Sequence, residues 1–600
     1  MRPKLLLAAI FFMFTGQLLF AQAPTITTFS PAQGGVGTLI TITGTNLGTP
    51  TGFIVGGKAA LVISSTGTQL VGYVMPGATS GVVSVTTSGG SVNSSTNFTV
   101  TPPATTAMIP QTASLGGAGF AYNNDVALVY QGNSVSVSAD GNTAVVGATN
   151  SPIGEAFVWA RTGAYGSTPM WTQQGVPPQS VAQGQVLEGI VLASVNVTNT
   201  EGATAAISAD GNTVILGGPG NNITTGYDQT GSFWCFTRSG TNWTQQGSFV
   251  YGTGGVGGPK QGTSIALSAD GNTAIVGGPY DRSGASVTGA VWAFVRTNGV
   301  WAQQGAKLVG TGAVGGSQQG YSVAVSADGN TAVVGGLADN GTIGAAWIFS
   351  RSGTTWTQQG PKLVASDAVG EAEEGSSVAI SADGNTVIVG GHFDNNNVGA
   401  SWIYTRSNGV WTQQGSKLVA TGTQANQGTS VALSADGNIA LVGGAAYGNN
   451  TGAVWEYTRN AGSWSLLGQP SNNLNTEFGY LGSALAMSAD GTTAFAGAPG
   501  GGGNGNAGGA FVFTAQAPTV VTQPATAVTG AAATMWVPDA DAAVTAAVEP
   551  IRIDPAALSA RIAGMMIVRP MRMTPPWCLQ RSAACCMASA ARTAHLSYLE

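Results

Sequence analysis

The stretch Val378-Ala379-Ile380-Ser381-Ala382-Asp383-Gly384-Asn385-Thr386-Val387-Ile388-Val389-Gly390-Gly391 decides the fold. Two short β-branched runs flank Asp-Gly and end at Gly-Gly, a pattern that reads as a β-hairpin rather than a helix. Asp-Gly supplies the positive φ of a tight, very short turn. Both faces of each strand are apolar, as required of a sheet packed between two other sheets. Ser-Ala-Asp-Gly recurs seven times, with its aspartates at Asp140, Asp210, Asp270, Asp328, Asp383, Asp436 and Asp490, spaced 70, 60, 58, 55, 53 and 54 residues apart. A repeat of that period marks an architecture in which no unit buries its apolar faces alone.

After each hairpin comes a variable Gly/Asn loop, then a third strand such as Gly399 to Arg406. A turn at Asn408-Gly409 leads to a fourth strand opened by Trp411-Thr412-Gln413-Gln414-Gly415. Four strands per unit and seven units predict a seven-bladed β-propeller over residues 108–514. The last unit lacks a Trp-Thr-Gln-Gln-Gly strand, whereas Met108 to Leu115 precedes the first hairpin without an assigned place. That stretch is expected to supply the outer strand of the final blade and close the ring, removing free sheet edges.

Twelve of the fourteen tryptophans fall in the repeats, one on each of six third strands (Trp159, Trp234, Trp292, Trp347, Trp402, Trp455) and one opening each of six fourth strands. An aromatic row would suit sugar stacking, but one ring per strand suits packing between blades. Six arginines, Arg161, Arg238, Arg296, Arg351, Arg406 and Arg459, close the third strands and are expected to bond turn carbonyls or the repeat aspartates. The aspartates read as turn formers bonding their own backbone.

Outside the repeats the chain divides by composition. Residues 1–23 read as a secretory signal: Arg2 and Lys4, an apolar run from Leu5 to Phe20, then Ala21-Gln22-Ala23. Residues 24–101, rich in Thr, Val, Ile and Gly with frequent turn signals, read as a small antiparallel sandwich; residues 102–107 read as a linker. Residues 515–600 hold two of the 91 glycines but three of the four cysteines, and read as a poorly ordered, irregular tail, either the remnant of a lost or out-of-frame C-terminal domain or a divergent natural tail. The fold class is therefore all-β: an N-terminal Ig-like sandwich, a seven-bladed propeller and the tail.

Two families resemble these segments. Phe29-Ser30-Pro31, Gly34-Gly35, Ile40 to Leu47, Val55-Gly56-Gly57, Val74 to Ala78 and Phe98-Thr99-Val100 resemble the IPT/TIG immunoglobulin-like domain, which implies a spacer or binding module without catalytic residues. The repeats are similar to the FG-GAP type of propeller repeat of integrin α-subunit heads and many secreted bacterial proteins, through Ser-Val-Ala, Gly277-Gly278-Pro279, Gly497-Ala498-Pro499 and Gly-Ala-x-Trp. Calcium-binding members carry Asp-x-Asp-x-Asp-Gly in the first hairpin. Here one Asp remains, too few oxygens for calcium, so no cofactor or metal is expected; Asp394-Asn395-Asn396-Asn397 is the remaining calcium candidate.

Composition excludes several functions. Charged residues make up 8% and the net charge is −6, with no basic stripe for nucleic acid and, after signal cleavage, no transmembrane helix. The only propeller histidine is His392, so no Ser-His-Asp or His-rich metal site can be assembled. No catalytic residues are expected; carboxylates stand in the loops at Asp228, Asp281, Asp339, Asp367, Glu371, Glu373 and Glu374, but none forms a marked pair. The expected protein is a non-enzymatic, monomeric, secreted or cell-surface binding or adhesion protein. Its ligand, an extracellular protein or glycan, would meet the variable loops, through Tyr280, Asp281, Asp339, Asn340, His392, Asp394, Tyr447 and Asn449. The alternatives are a structural spacer without ligand and a glycan-active enzyme.

Overall fold

The computed structural model describes residues 21–515 except 104–105, 116–120, 123–124, 127–129, 150–154, 163–169, 175–185, 188–203, 223–228, 472–478 and 501–507. The signal core and the tail lie outside the described residues, as does Asp228.

Blade 5 shows how the sequence builds a unit. Ser377–Ile380, Thr386–Gly391, Ala400–Ser407 and Val410–Gln413 pair antiparallel in that order, with Val389 opposite Trp402 and Arg406 opposite Trp411. The whole second strand is buried, which accounts for its unbroken apolar run. Trp402 packs backward onto Val333 and Ile348 of blade 4, while Ile388 and Ile403 pack forward onto Val442 and Trp455 of blade 6. Each third-strand indole from Trp234 to Trp455 is buried in this way. Burial of ~150–250 Å² per ring stabilises the stack by at most about 4–5 kcal/mol each.

Seven such sheets close into a ring. In the last, Ala484–Met487, Thr493–Ala498 and Gly509–Ala515 are completed by Met108–Leu115, which pairs antiparallel with the third strand from Met108 opposite Ala515 to Leu115 opposite Ala510. Blade 1 then stacks on blade 7 through Val146, Trp171, Phe495 and Val512, with Trp171 edge-on to Phe495 at 5.3 Å. At the hairpin end a belt of backbone hydrogen bonds runs around the channel: the Ala139 N–H donates to Ala209 C=O, and so on through Ala269, Ala327, Ala382, Ala435 and Ala489. The Ala489 N–H returns to Ala139 C=O at 2.9 Å. A seven-membered belt with no loose end fixes the blade number.

The turn that makes the belt is longer than Asp-Gly alone suggests. Ser381 N–H donates to Thr386 C=O and Gly384 N–H to Ser381 C=O, with Gly384 at φ +67° while Asp383 stays outside the left-handed region. The Asp383 carboxylate organises the loop, accepting from the Ser381 hydroxyl (2.6 Å), the Asn385 N–H (3.0 Å) and the Asn385 amide (2.8 Å). The same hydroxyl accepts the Thr386 N–H at 3.0 Å. Four loop residues are needed because the alanine must reach the neighbouring blade.

Each strand-closing arginine donates its backbone N–H to a carbonyl of its own turn, as the sequence reading expected, Arg351 to Asn330 C=O at 2.8 Å, whereas the side chains of Arg238, Arg296, Arg351, Arg406 and Arg459 reach partners other than the repeat aspartates. Arg351 donates from Nε to the Asn330 Oδ1 of its own turn, and from one terminal nitrogen to Gln304 and Thr273 of blade 3. It lies over the Trp356 ring at 5.3 Å, whose Nε1 donates to the same Gln304 oxygen. Blades 2, 5 and 6 repeat the set with Arg238, Arg406 and Arg459 on Gln174, Gln359 and Gln414. A planar five-donor fork can satisfy three partners at once, so each of these four arginines bonds a blade to its predecessor.

Residues 24–101 form a two-sheet sandwich, its first sheet running Thr25–Ser30, Leu39–Thr45, Gln69–Tyr73 and Leu61–Ser65 in spatial order. Ile40, Ile42, Phe53, Val83, Val85 and Phe98 fill the core between the sheets. One end of the sandwich stoppers the channel: Val36, Leu39, Leu61, Ile63, Tyr73 and Met75 pack onto the alanine belt. Gly37, at φ +91°, lies so close that a Cβ there would meet the Ala489 Cβ at 2.2 Å. Burial, followed by the charges of Asp490 and Asp436, pushes the Tyr73 phenol well above its ordinary range.

Candidate functional site

With one end of the channel stoppered, the mouth at the other end is left, together with the loops between second and third strands and those between blades. The mouth is a cavity of about 440 Å³ lined by Ser264, Ser322, Ser377 and Ser430 at the start of the innermost strands. Each hydroxyl donates to the glycine carbonyl of the next linker: Ser264 to Gly320 (2.7 Å), Ser322 to Gly375 (2.8 Å), Ser377 to Gly428 (2.8 Å) and Ser430 to Gly482 (2.7 Å). The donors are thus spent inside the wall, while each oxygen keeps acceptor capacity.

The eight loop residues marked in the sequence separate into three groups. Asp281, Asp339 and Asp394 are buried, a correction to their placement on the ligand side. Each accepts a backbone N–H from the preceding linker, that of Val256 (2.8 Å), Val314 (2.8 Å) or Val369 (2.6 Å). Each also pairs with a lysine of its own blade: Lys307 at 2.5 Å, Lys362, and Lys417 at 2.6 Å. They hold the loops in place, and the lysine on Asp394 occupies the carboxylate that a cation would need.

Asn340 and Asn449 are exposed, each in a run of three consecutive left-handed residues, Asn340-Gly341-Thr342 and Gly448-Asn449-Asn450. Asn395-Asn396-Asn397 repeats that turn in blade 5. Asn and Gly tolerate this region best, which explains the Asn/Gly-rich composition of these loops. Tyr447 packs edge-on against the buried Trp455 at 5.4 Å and is chiefly a structural residue.

Tyr280 and His392 belong to a continuous surface cluster over blades 3 to 5. Lys260 lies over the Tyr280 ring at 4.6 Å, and the Tyr280 N–H donates to Pro259 C=O. Tyr321, on the mouth, is held up in pKa by burial, then by Glu373 and Tyr280. Glu373 is 3.4 Å from His392 Nε2, and the His392 ring lies tilted against Phe393, centroids 4.1 Å apart. Burial lowers the His392 imidazole to about 4, so it is neutral at physiological pH and the Glu373 contact is polar rather than an ion pair. Tyr321 and Phe393 were not among the candidate ligand residues marked in the sequence, although Tyr321 follows a repeat glycine where sister linkers carry Thr, Ser or Asn, and Phe393 shares its loop position with Tyr280.

Other carboxylates serve the scaffold. Glu374 takes the place of Gln261, Gln319 and Gln427, whose amides bond both ways to linker backbone. It instead accepts the Ala365 N–H (2.7 Å) and the Tyr404 hydroxyl (2.6 Å), and burial raises its carboxyl to about 7. Asp367 receives Trp402 Nε1, Gln413 and the Lys417 N–H. Among the described residues no group of three or more His, Cys, Asp or Glu side chains gathers as a metal would need.

Two family models match the chain. Residues 24–101 match the IPT/TIG domain and residues 356–404 the FG-GAP repeat, the latter running from the outer strand of blade 4 through the third strand of blade 5. The chain thus carries an IPT/TIG domain followed by a propeller with an FG-GAP repeat, a combination that fits a surface or binding protein. Such domains are typical of extracellular proteins, and among the described residues no helix is long and apolar enough to cross a membrane. No curated protein matches. Solved structures with a distant likeness include a 6-phosphogluconolactonase candidate from Bacteroides uniformis (13% identity, TM-score 0.36, 56% of this chain and 83% of that one). Two from Bacteroides thetaiotaomicron each cover 82% of this chain and 98% of their own: an auxiliary nutrient binding protein (12%, TM-score 0.31) and a protein of unknown function (10%, TM-score 0.30).

Proposed function

We propose that this is a non-enzymatic, secreted or cell-surface binding protein that presents the open face of its propeller to an extracellular protein or glycan. The observation that carries this reading is polarity: the sandwich occupies one end of the channel, so the variable loops and the mouth share the other. A rigid repeated scaffold with differing loops on one face is a usual arrangement for recognition. Of the loop carboxylates an enzyme would draw on, Asp281, Asp339, Asp367, Asp394 and Glu374 are committed to loop backbone, lysines or buried hydroxyls, which leaves, among the described residues, Glu371 and Glu373.

The test is a binding screen of the full chain against glycans and extracellular matrix proteins. A ligand is expected whose affinity falls when residues 392–397 are replaced by Gly and Ser and is unchanged by Val300→Thr on an outer hairpin. Loss with Val300→Thr alone, or no ligand at all, overturns the reading; turnover of a polysaccharide panel transfers it to an enzyme.

A further inference from the structure

The repeats act as their own control. Where the scaffold needs a residue, sister blades repeat it, as with Ser-Ala-Asp-Gly, the buried indole, and the arginine on its glutamine. Tyr321 occupies a position held by Asn133, Thr263, Ser376, Thr429 and Ser483 in other linkers. Tyr280 and Phe393 occupy one held by Ala338 and Ala446. The fold therefore does not call for rings at these sites. Yet Tyr280, Tyr321 and Phe393 are 39%, 39% and 38% exposed in three successive blades, on the same face. Exposed rings that packing does not require mark an interaction site.

The surroundings specify the chemistry. Lys260 sits on the Tyr280 ring and Arg282 is exposed in the same loop, while Glu373, beside Glu371, faces a neutral imidazole, so charges of the two signs balance and the patch carries little net field for an anionic polymer. The mouth beside Tyr321 offers hydroxyl oxygens whose protons are already given to glycine carbonyls. Such a rim accepts hydrogen bonds rather than donating them, which suits a ligand rich in O–H donors and opposes phosphate or carboxylate. A pyranose ring combines an apolar C–H face, which lies on aromatic rings, with hydroxyls at its edge.

We infer that Tyr280, Tyr321 and Phe393 form a stacking platform for an uncharged glycan, whose hydroxyls bond the serine rim of the channel mouth. This rests on the binding reading above and names its ligand class.

The experiment is affinity electrophoresis of the full chain through gels holding soluble neutral polysaccharides (a β-glucan, a xylan, a galactomannan, an α-glucan), run beside the matrix-protein screen. The variants are Tyr321→Thr, Tyr280→Ala and Phe393→Ala, residues that sister blades already carry in the same backbone, with Val300→Thr as control. At least one polysaccharide is expected to retard the parent and Val300→Thr alike, with each ring removal weakening binding roughly tenfold or more. No retardation by any neutral polysaccharide, or retardation that survives all three ring removals, overturns the proposal. A matrix protein bound through the 392–397 loop, with no polysaccharide bound, overturns the glycan assignment and leaves the binding reading standing. Absence of both defeats the two together.

Discussion

Glu374→Gln restores to blade 5 the residue that four sister linkers carry, and it removes a buried carboxyl raised to about 7 by desolvation. An acid whose value is higher in the folded than in the unfolded chain holds an extra proton when folded. Its contribution is complete below the unfolded value near 4.5 and is lost as pH rises through the folded value. From 4.5 to about 7 the difference is at most about 3 kcal/mol. For a propeller of roughly 400 residues that is about 4 °C in Tm. Glu456, which accepts the Met108 N–H at 2.8 Å at the start of the closing strand, is raised to about 7 by the same cause and adds a comparable slope. Thermal unfolding of parent and Glu374→Gln should be followed at about pH 4.5, 6 and 8. The parent should lose stability between the first and last relative to the variant, by roughly half of the combined effect, while the variant stays folded through Gln Oε1 accepting the Ala365 N–H. Parallel pH profiles for the two proteins would refute the reasoning, because they would mean that the carboxyl is not desolvated in the folded state.

Three further outcomes follow from the packing. Trp347→Ala removes a fully buried indole between blades and should cost about 3–5 kcal/mol, read from the urea midpoint; a loss below about 1 kcal/mol would contradict the stacking described. Gly37→Val places a Cβ against Ala489 in a left-handed backbone and should release the sandwich from the belt with both domains folded, seen as a larger radius in small-angle scattering and new cleavage within 102–107. An unchanged radius would show that this contact does not hold the stopper. Deleting residues through Leu115 exposes the edge of Gly509–Ala515 and should lower Tm and bring on light scattering; a monodisperse deletion with the parent Tm would mean that the strand does not close the ring.

The ring was legible because its signals are redundant: the seven Ser-Ala-Asp-Gly turns count the blades, and the missing final Trp-Thr-Gln-Gln-Gly points to a borrowed strand. Alanine is silent in a sequence, so neither the belt through Ala139 and its sisters nor its service as a seat for Tyr73 could be read. Asp281, Asp339 and Asp394 looked solvent-facing because they stand in variable loops. Their burial was nonetheless written in Lys307, Lys362 and Lys417, which accompany them blade by blade. The platform was half visible, since the loops drew attention to Tyr280 and to His392 next to Phe393, but the linker position of Tyr321 lies far away along the chain.

The belt of alanine amides has no first or last member, so every blade donates once and receives once. Gain or loss of a single repeat would have to re-form the whole circle at a different radius, against a sandwich whose apolar end is cut to this one. Length variation is thereby driven outward, and the unequal spacings between the repeat aspartates, 53 to 70 residues, record growth in loops around a centre whose membership is fixed.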